Sequence, residues 1–120
     1  MRILAFVLGM LSLVAPAAHA TGESGLRGVV MRGPTSPVCR DDEPCEAPAA
    51  NVALVFKREG RIVARTTSGQ KGGYRIALKP GRYLVTTARR TIGAGLTPRT
   101  VVVPRERFAR VDLHLDTGIQ

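Results

Sequence analysis

The strongest constraint on this chain is an alternation of apolar and polar residues with a period of two, broken at short intervals by glycine and proline. In the segment 73–78, Tyr74, Ile76 and Leu78 alternate with other residues, so they fall on one side of an extended strand. No segment from Gly22 onward has a helical period. The pattern predicts seven strands, at 26–32, 51–58, 61–67, 73–78, 82–89, 99–103 and 108–115.

The turns between these strands favour two packed sheets over a simple meander. Glu59-Gly60 has the length of a two-residue hairpin loop. Pro80-Gly81 predicts a compact turn, because proline has a fixed φ and the glycine after it accepts a positive φ. Later strands must then pair at long range, which indicates an all-β sandwich. On the strand 61–67 the simple alternation points Ile62, Ala64 and Thr66 inward and Arg61, Val63 and Arg65 outward.

The first twenty residues have the layout of a secretory signal peptide. Arg2 precedes an apolar run over residues 3–14, and Ala18-His19-Ala20 supplies small residues for cleavage after Ala20. The run is shorter than the roughly 18–20 residues that a membrane anchor needs. We therefore expect an exported protein, periplasmic or extracellular, with no transmembrane segment after cleavage. The predicted organisation is signal peptide 1–20, leader 21–25, β-sandwich domain 26–116 and tail 117–120.

The two cysteines, Cys39 and Cys45, are close in sequence. In an exported protein such a pair favours a disulfide that closes a small loop. A metal site that joins both cysteines to His114 is the alternative, but this spacing matches no standard zinc motif. We expect a disulfide, no metal and no cofactor.

A longer motif resembles a known family. In residues 65–85, Thr67-Ser68 ends one strand, glycines precede Tyr74, and Leu78-Lys79-Pro80-Gly81-Arg82-Tyr83 leads into the next strand. This arrangement, with Gly25-Leu26-Arg27-Gly28-Val29-Val30 upstream, resembles carboxypeptidase regulatory-like domains of small secreted bacterial proteins. The resemblance implies a seven-stranded, transthyretin-like (prealbumin-like) Greek-key β-sandwich. Ser68 stands where that family usually has Asp.

Catalytic chemistry has little support in the sequence. The single histidine that follows the signal peptide, His114, has Asp112 and Asp116 nearby, but no serine or threonine stands out as its nucleophile. We expect a solvated histidine and no enzyme activity. A small secreted hydrolase or inhibitor that uses its loops is the alternative.

Charge is the remaining signal. The chain has a formal net charge of +9, and removal of residues 1–20 leaves +8. Nucleic-acid readers usually add a recognition helix or interleaved aromatic residues, and neither is present, so we expect no nucleic-acid partner. Three arginines are predicted to point outward from two strands that are joined by one turn, and they define a candidate basic contact face: Arg61, Arg65 and Arg75. The alternative is that the chain is simply rich in arginine and that this face is only solvated.

These features predict a non-catalytic binding or structural module of the bacterial cell envelope. It would contact an envelope protein or an anionic envelope polymer through a sheet face or an edge strand. A carbohydrate-binding module is an alternative, for which Phe108 is the one candidate platform because Tyr74 and Tyr83 are predicted to point inward.

Overall fold

The computed structural model describes residues 22–91 and 93–118. The predicted signal peptide and its cleavage site at Ala20 lie outside these residues. The described part contains no helix, and therefore no apolar helix of the length that would cross a membrane.

The described residues form ten β elements, three more than the sequence predicts. Six predicted strands are present with shifts of a few residues, and the seventh, 108–115, is divided into two. The two-residue β2 and β7 were not predicted, because two residues are too few to show a period. The elements are β1 (Gly25–Gly33), β2 (Ala47–Pro48), β3 (Ala53–Arg58), β4 (Arg61–Thr67), β5 (Gly73–Ala77), β6 (Gly81–Thr87), β7 (Leu96–Thr97), β8 (Thr100–Val103), β9 (Phe108–Arg110) and β10 (Leu113–Asp116).

Two sheets pack as a sandwich, which confirms the predicted fold class. The four-stranded sheet has the order β4-β3-β6-β8 and is antiparallel throughout. The six-stranded sheet is built around β1. The first half of β1 pairs antiparallel with β5 and parallel with β9. Its second half pairs parallel with β10 and antiparallel with β2, and β7 extends the sheet beyond β10.

The core lies between the sheets and follows the predicted alternation. Leu54 and Phe56 of β3 are fully buried, as are Leu26 and Val30 of β1. These side chains meet because alternate residues of a strand share one face, and the two inner faces oppose each other. The predicted inward residues of the segment 73–78, namely Tyr74, Ile76 and Leu78, are also buried in this core, as are Tyr83 and Val85 of β6, whereas Thr87 on the same predicted face of β6 is half-buried.

The Glu59-Gly60 turn joins β3 to β4 as predicted. Both residues have positive φ, 53° for Glu59 and 79° for Gly60. Positive φ at both central positions is the conformation of a type I′ turn, whose twist matches that of the flanking strands. Arg58 and Arg61 are therefore directly opposite each other at the end of the hairpin.

Ser68 ties the turn after β4 to the loop before β3. Its hydroxyl donates a hydrogen bond to the Ala49 carbonyl at 2.6 Å and accepts one from the Val52 N–H at 2.9 Å. The side chain is almost completely buried, with 2% exposure. A carboxylate could accept from Val52 but could not donate to Ala49, so the serine makes a pair of bonds that an ionised Asp could not.

The two residues between β9 and β10, Val111 and Asp112, are held against β1 by hydrogen bonds. At this point the chain crosses over Gly28 of β1, and the Val111 N–H donates to the Arg27 carbonyl at 2.8 Å. The Asp112 carboxylate accepts the Val29 N–H at 3.0 Å, in place of a backbone carbonyl. The Tyr74 hydroxyl completes the crossing by donating to the Val111 carbonyl at 2.5 Å.

Candidate binding surfaces

The three arginines predicted to share one face lie on different sheets. Arg61 and Arg65 belong to β4 of the four-stranded sheet, whereas Arg75 belongs to β5 of the six-stranded sheet. The turn at 68–72 carries the chain from one sheet to the other. Strand parity fixes the face within one sheet only, so the expectation of a common sheet face is wrong.

A β-bulge changes the orientation within β4 as well. Phe56 pairs with Ala64, but the next residue, Lys57, pairs with Ile62, so Val63 is an extra residue. The bulge reverses the alternation, which puts Ile62 on the outer face with Lys57. Ile62 is 48% exposed, so its predicted inward orientation is wrong.

The outer face of the four-stranded sheet carries exposed apolar residues among cations. Lys57 pairs with Ile62 on one side and Leu84 on the other, and Arg82 pairs with Val102. Leu84 is 45% exposed and Val102 is 59% exposed. Residues that pair directly across strands share a face. We call this surface the mixed face and define it by Lys57, Ile62, Arg65, Arg82, Leu84 and Val102.

The outer face of the six-stranded sheet carries a different set of arginines. Arg27 of β1 pairs directly with Arg75 of β5 and with Arg110 of β9. All three side chains are exposed, and together they form a continuous line across three neighbouring strands, which we call the arginine row. Sequence reasoning missed Arg27 and Arg110, because only the long-range pairing of β1 brings them beside Arg75.

Phe108 supports one end of the arginine row. The guanidinium of Arg75 lies 3.7 Å from the centroid of the Phe108 ring. The ring occupies the space above Gly25, where a Cβ atom would come within 2.4 Å of it. Because Gly25 has no side chain, the ring can lie over β1, where it contacts the Arg75 guanidinium, and arginine is often found over aromatic faces in this way.

Asp112 is the acidic group at the other end of the row. Its carboxylate lies 3.1 Å from Nε of Arg110. The hydrogen bond from the Val29 N–H, with further contributions from Arg110 and Arg27, holds the pKa of Asp112 below its ordinary value of 3.8. The carboxylate thus accepts a backbone N–H of β1 and also pairs with Arg110.

Asp112→Asn is expected to reduce the acid sensitivity of folding. A carboxyl whose pKa is lowered by folding stabilises the native state above its unfolded pKa, and this contribution is lost as pH falls through the folded pKa. Asn can still accept the Val29 N–H but does not titrate. The difference in unfolding midpoint between wild type and variant should therefore be larger near pH 5 than near pH 2, as measured by urea denaturation. An equal difference at both pH values would contradict this role.

An open cleft of about 590 Å³ lies beside the arginine row. Its lining includes Arg27, Arg75 and Arg110. The other lining residues are Gly28, Val29, Thr66, Thr67, Gly69, Gly73 and Tyr74. The cleft thus combines cationic residues with threonines and glycines.

His114 pairs with a carboxylate that is distant from it in sequence. Its Nδ1 lies 3.1 Å from the Glu46 carboxylate, which follows the disulfide loop. The two acids nearest in sequence bind backbone amides: Asp112 accepts from Val29, and Asp116 accepts from Ala94 and Gly118 at 2.9 Å each. Among the described residues, no hydrogen bond joins His114 to either of these carboxylates or to a serine or threonine hydroxyl, so these residues do not form a Ser-His-Asp triad.

Cys39 and Cys45 form the predicted disulfide. The bond removes the two thiolates that a metal site with His114 would need. Within residues 22–91 and 93–118, no three side chains of His, Cys, Asp or Glu are grouped as metal ligands.

The aromatic residues within 22–91 and 93–118 offer little surface for stacking against a sugar. Tyr74 is buried, and this burial, together with the negative charge of Asp112, raises the pKa of Tyr74 to about 12. Tyr83 is also buried and donates its hydroxyl to the Lys79 carbonyl at 2.6 Å. Phe108, the candidate platform, is occupied by Arg75 on one face.

Comparison with known proteins supports the fold and leaves the function open. The chain resembles the solved structure of GBS52, the minor pilin of the Gram-positive pathogen Streptococcus agalactiae, with a TM-score of 0.53 and 14% identity. The match covers 81% of this chain but 46% of the pilin, so this chain spans less than half of that protein's length. No protein-family model matches the chain, and no curated protein matches it by sequence.

Proposed function

We propose that this protein is an exported, non-catalytic structural module of the bacterial cell envelope that docks onto another protein through the mixed face. The exposure of Ile62, Leu84 and Val102 on a regular sheet surface is the observation that carries this proposal. Three large aliphatic side chains on one face of a small domain are typical of an interaction surface. The pilin-like fold supports a structural role in the envelope.

The charges of the mixed face specify the chemistry of the partner. Lys57 lies between Ile62 and Leu84, and Arg65 and Arg82 lie in the neighbouring rows. No acidic residue is among the cross-strand pairs of this face, as the strand registers define it. A face that sets cations between exposed aliphatic side chains is complementary to a protein surface that sets acidic groups between apolar residues.

The edges of the same sheet are poorly suited to strand addition, which favours the face as the contact. The edge strand β4 contains the bulge at Val63 and carries Arg61 and Arg65. The other edge, β8, has four residues and is followed directly by Pro104. Bulges, charges, short edges and proline all oppose the pairing of a second chain.

Site-specific photo-crosslinking in the native envelope tests this proposal. A photoreactive residue at position 84 or 102 is expected to form a discrete adduct with one protein, whose contact site is rich in Asp and Glu. The double charge reversal Lys57→Glu and Arg82→Glu should weaken binding to that purified partner by tenfold or more, with a slower association rate.

Two controls make the crosslinking result decisive. A photoreactive residue at position 71, in the turn after β4, should give no such adduct. Lys79→Glu changes one charge outside the mixed face and should leave affinity for the partner within about twofold. Equal adducts at positions 71 and 84 would overturn the proposal, as would unchanged affinity of the charge-reversed variant.

Export itself has a simple test. Because the sequence predicts cleavage after Ala20, the intact mass of the protein from the producing cell should correspond to a chain that begins at Thr21. Ala18→Phe together with Ala20→Phe should block cleavage and leave the full-length mass, since signal peptidase requires small residues. A full-length mass for the wild-type protein would contradict the predicted signal peptide.

A further inference from the structure

The arginine row is an unfavourable arrangement for stability alone. Arg75, Arg27 and Arg110 are direct cross-strand neighbours, on strands that are about 4.8 Å apart. Like charges at directly opposed positions destabilise a sheet. Among the described residues, Arg27 and Arg75 have no carboxylate within salt-bridge distance. The structure therefore places three arginines with one ion-paired carboxylate, Asp112, at the centre of its six-stranded sheet.

Two of these arginines are available to bind an anion. Phe108 lies against the Arg75 guanidinium, and none of the hydrogen bonds or ion pairs of the described residues uses the side-chain N–H groups of Arg75. Arg27 lies between the other two and has no competing acid at contact distance. Arg110 is occupied by Asp112, which also receives the Val29 N–H. The row therefore presents about two unneutralised positive charges beside the open cleft.

We propose that the arginine row binds a phosphate group as the dianion, with Arg27 and Arg75 as its main ligands. Two guanidiniums on adjacent strands can each donate paired N–H bonds to a tetrahedral oxyanion. The charge of a phosphate dianion matches the two cations that Asp112 leaves unpaired. Thr66, Thr67, Gly69 and Gly73 line the same cleft, and a Cβ atom at Gly73 would meet no heavy atom within 4 Å, so this part of the cleft is open.

Inorganic phosphate tests the site directly. At constant ionic strength, titration with phosphate should shift the NMR resonances of the Arg27 and Arg75 Nε–H groups and of the Gly73 amide. The thermal midpoint should rise with phosphate concentration, because a ligand that binds only the native state stabilises it. The same concentration of chloride should produce neither effect.

Arg27→Gln distinguishes binding from structural support. It should weaken phosphate binding at least tenfold and abolish the phosphate-dependent rise in thermal midpoint. In phosphate-free buffer at low salt, the variant should unfold within about 2 °C of the wild type, because it loses both the repulsion from Arg75 and Arg110 and the attraction to Asp112. A residue with a merely structural role would show a lower midpoint instead.

Arg61→Gln is the matched control, since Arg61 is an exposed strand arginine in the other sheet. It should bind phosphate as the wild type does. Equal loss of binding in Arg61→Gln and Arg27→Gln would overturn the proposal by showing a general charge effect. Resonance shifts that spread over both sheets would do the same.

The source of the phosphate group is resolved by two further probes. Glycerol phosphate that binds more tightly than inorganic phosphate would identify an ester as the ligand, whereas the reverse order would identify the free ion. Sulfate that binds as well as phosphate would overturn the assignment to phosphate. The mixed face lies on the other sheet, so a failed phosphate titration would leave the proposed docking function standing.

Discussion

Gly28→Ala is expected to lower the free energy of unfolding by about 3 kcal/mol, near the upper end of the usual cost of overpacking. A Cβ atom at this position would lie 2.1 Å from the Val111 carbonyl oxygen and 2.7 Å from its carbon. Both are backbone atoms, so no side chain can rotate away. Either β1 or the crossing between β9 and β10 must move.

The movement would disrupt several bonds that meet at this point. The Val111 carbonyl accepts a hydrogen bond from the Tyr74 hydroxyl, and the Val111 N–H donates one to the Arg27 carbonyl. Asp112, the next residue, holds the Val29 N–H. Because one backbone shift would weaken all of these hydrogen bonds together, a single added methyl group should lower the free energy of unfolding by this much. Urea denaturation followed by circular dichroism measures it.

Gly73→Ala is a closely matched control on the neighbouring strand. Gly73 pairs with Val29, one residue beyond the pairing of Gly28 with Tyr74. A Cβ atom at Gly73 would have no heavy atom within 4 Å. Its replacement by Ala should change stability by less than about 1 kcal/mol, and can raise it by reducing the entropy of the unfolded chain. Similar losses for the two variants would refute the steric explanation for Gly28.

Ser68→Ala is expected to cost about 3 kcal/mol, because it leaves two backbone groups without their partner. The Ala49 carbonyl loses a donor and the Val52 N–H loses an acceptor. Each buried polar group left unsatisfied costs about 1–3 kcal/mol. The substitution removes little volume, so the lost hydrogen bonds and not a cavity should account for the change.

Ser36→Ala is the control for Ser68→Ala. The Ser36 hydroxyl donates to the carbonyl of Val38, only two residues away, and this bond is exposed to solvent. Water can replace it, so the expected change is below about 0.5 kcal/mol. Amide hydrogen exchange should also accelerate at Val52 in Ser68→Ala, and its absence would show that the hydroxyl does not secure this loop.

The sequence predicted the elements of the fold better than the surfaces. The alternation in the segment 73–78 correctly placed Tyr74, Ile76 and Leu78 in the core. The hairpin at Glu59-Gly60 followed from local turn chemistry, and the disulfide followed from the spacing of two cysteines. Each of these features depends on residues that are close in sequence.

The surfaces depend on pairings that are distant in sequence. The single bulge at Val63 reversed the orientation of Ile62 and moved an apolar residue onto the mixed face. The arginine row required β1 to pair with both β5 and β9, which no local pattern indicates. The contact between Gly28 and Val111 could not be predicted for the same reason, because the two residues are distant in sequence.

The sequence by itself determined that this is an all-β chain, which residues of most strands enter its core, and where its hairpin and disulfide form. Period-two burial and turn conformation are local properties, so they can be read without knowledge of the partners of each strand. Only the tertiary structure decided which arginines are neighbours and which apolar residues remain exposed. Those outcomes depend on strand register and on one bulge, and a shift of one residue in either exchanges the two faces of a strand.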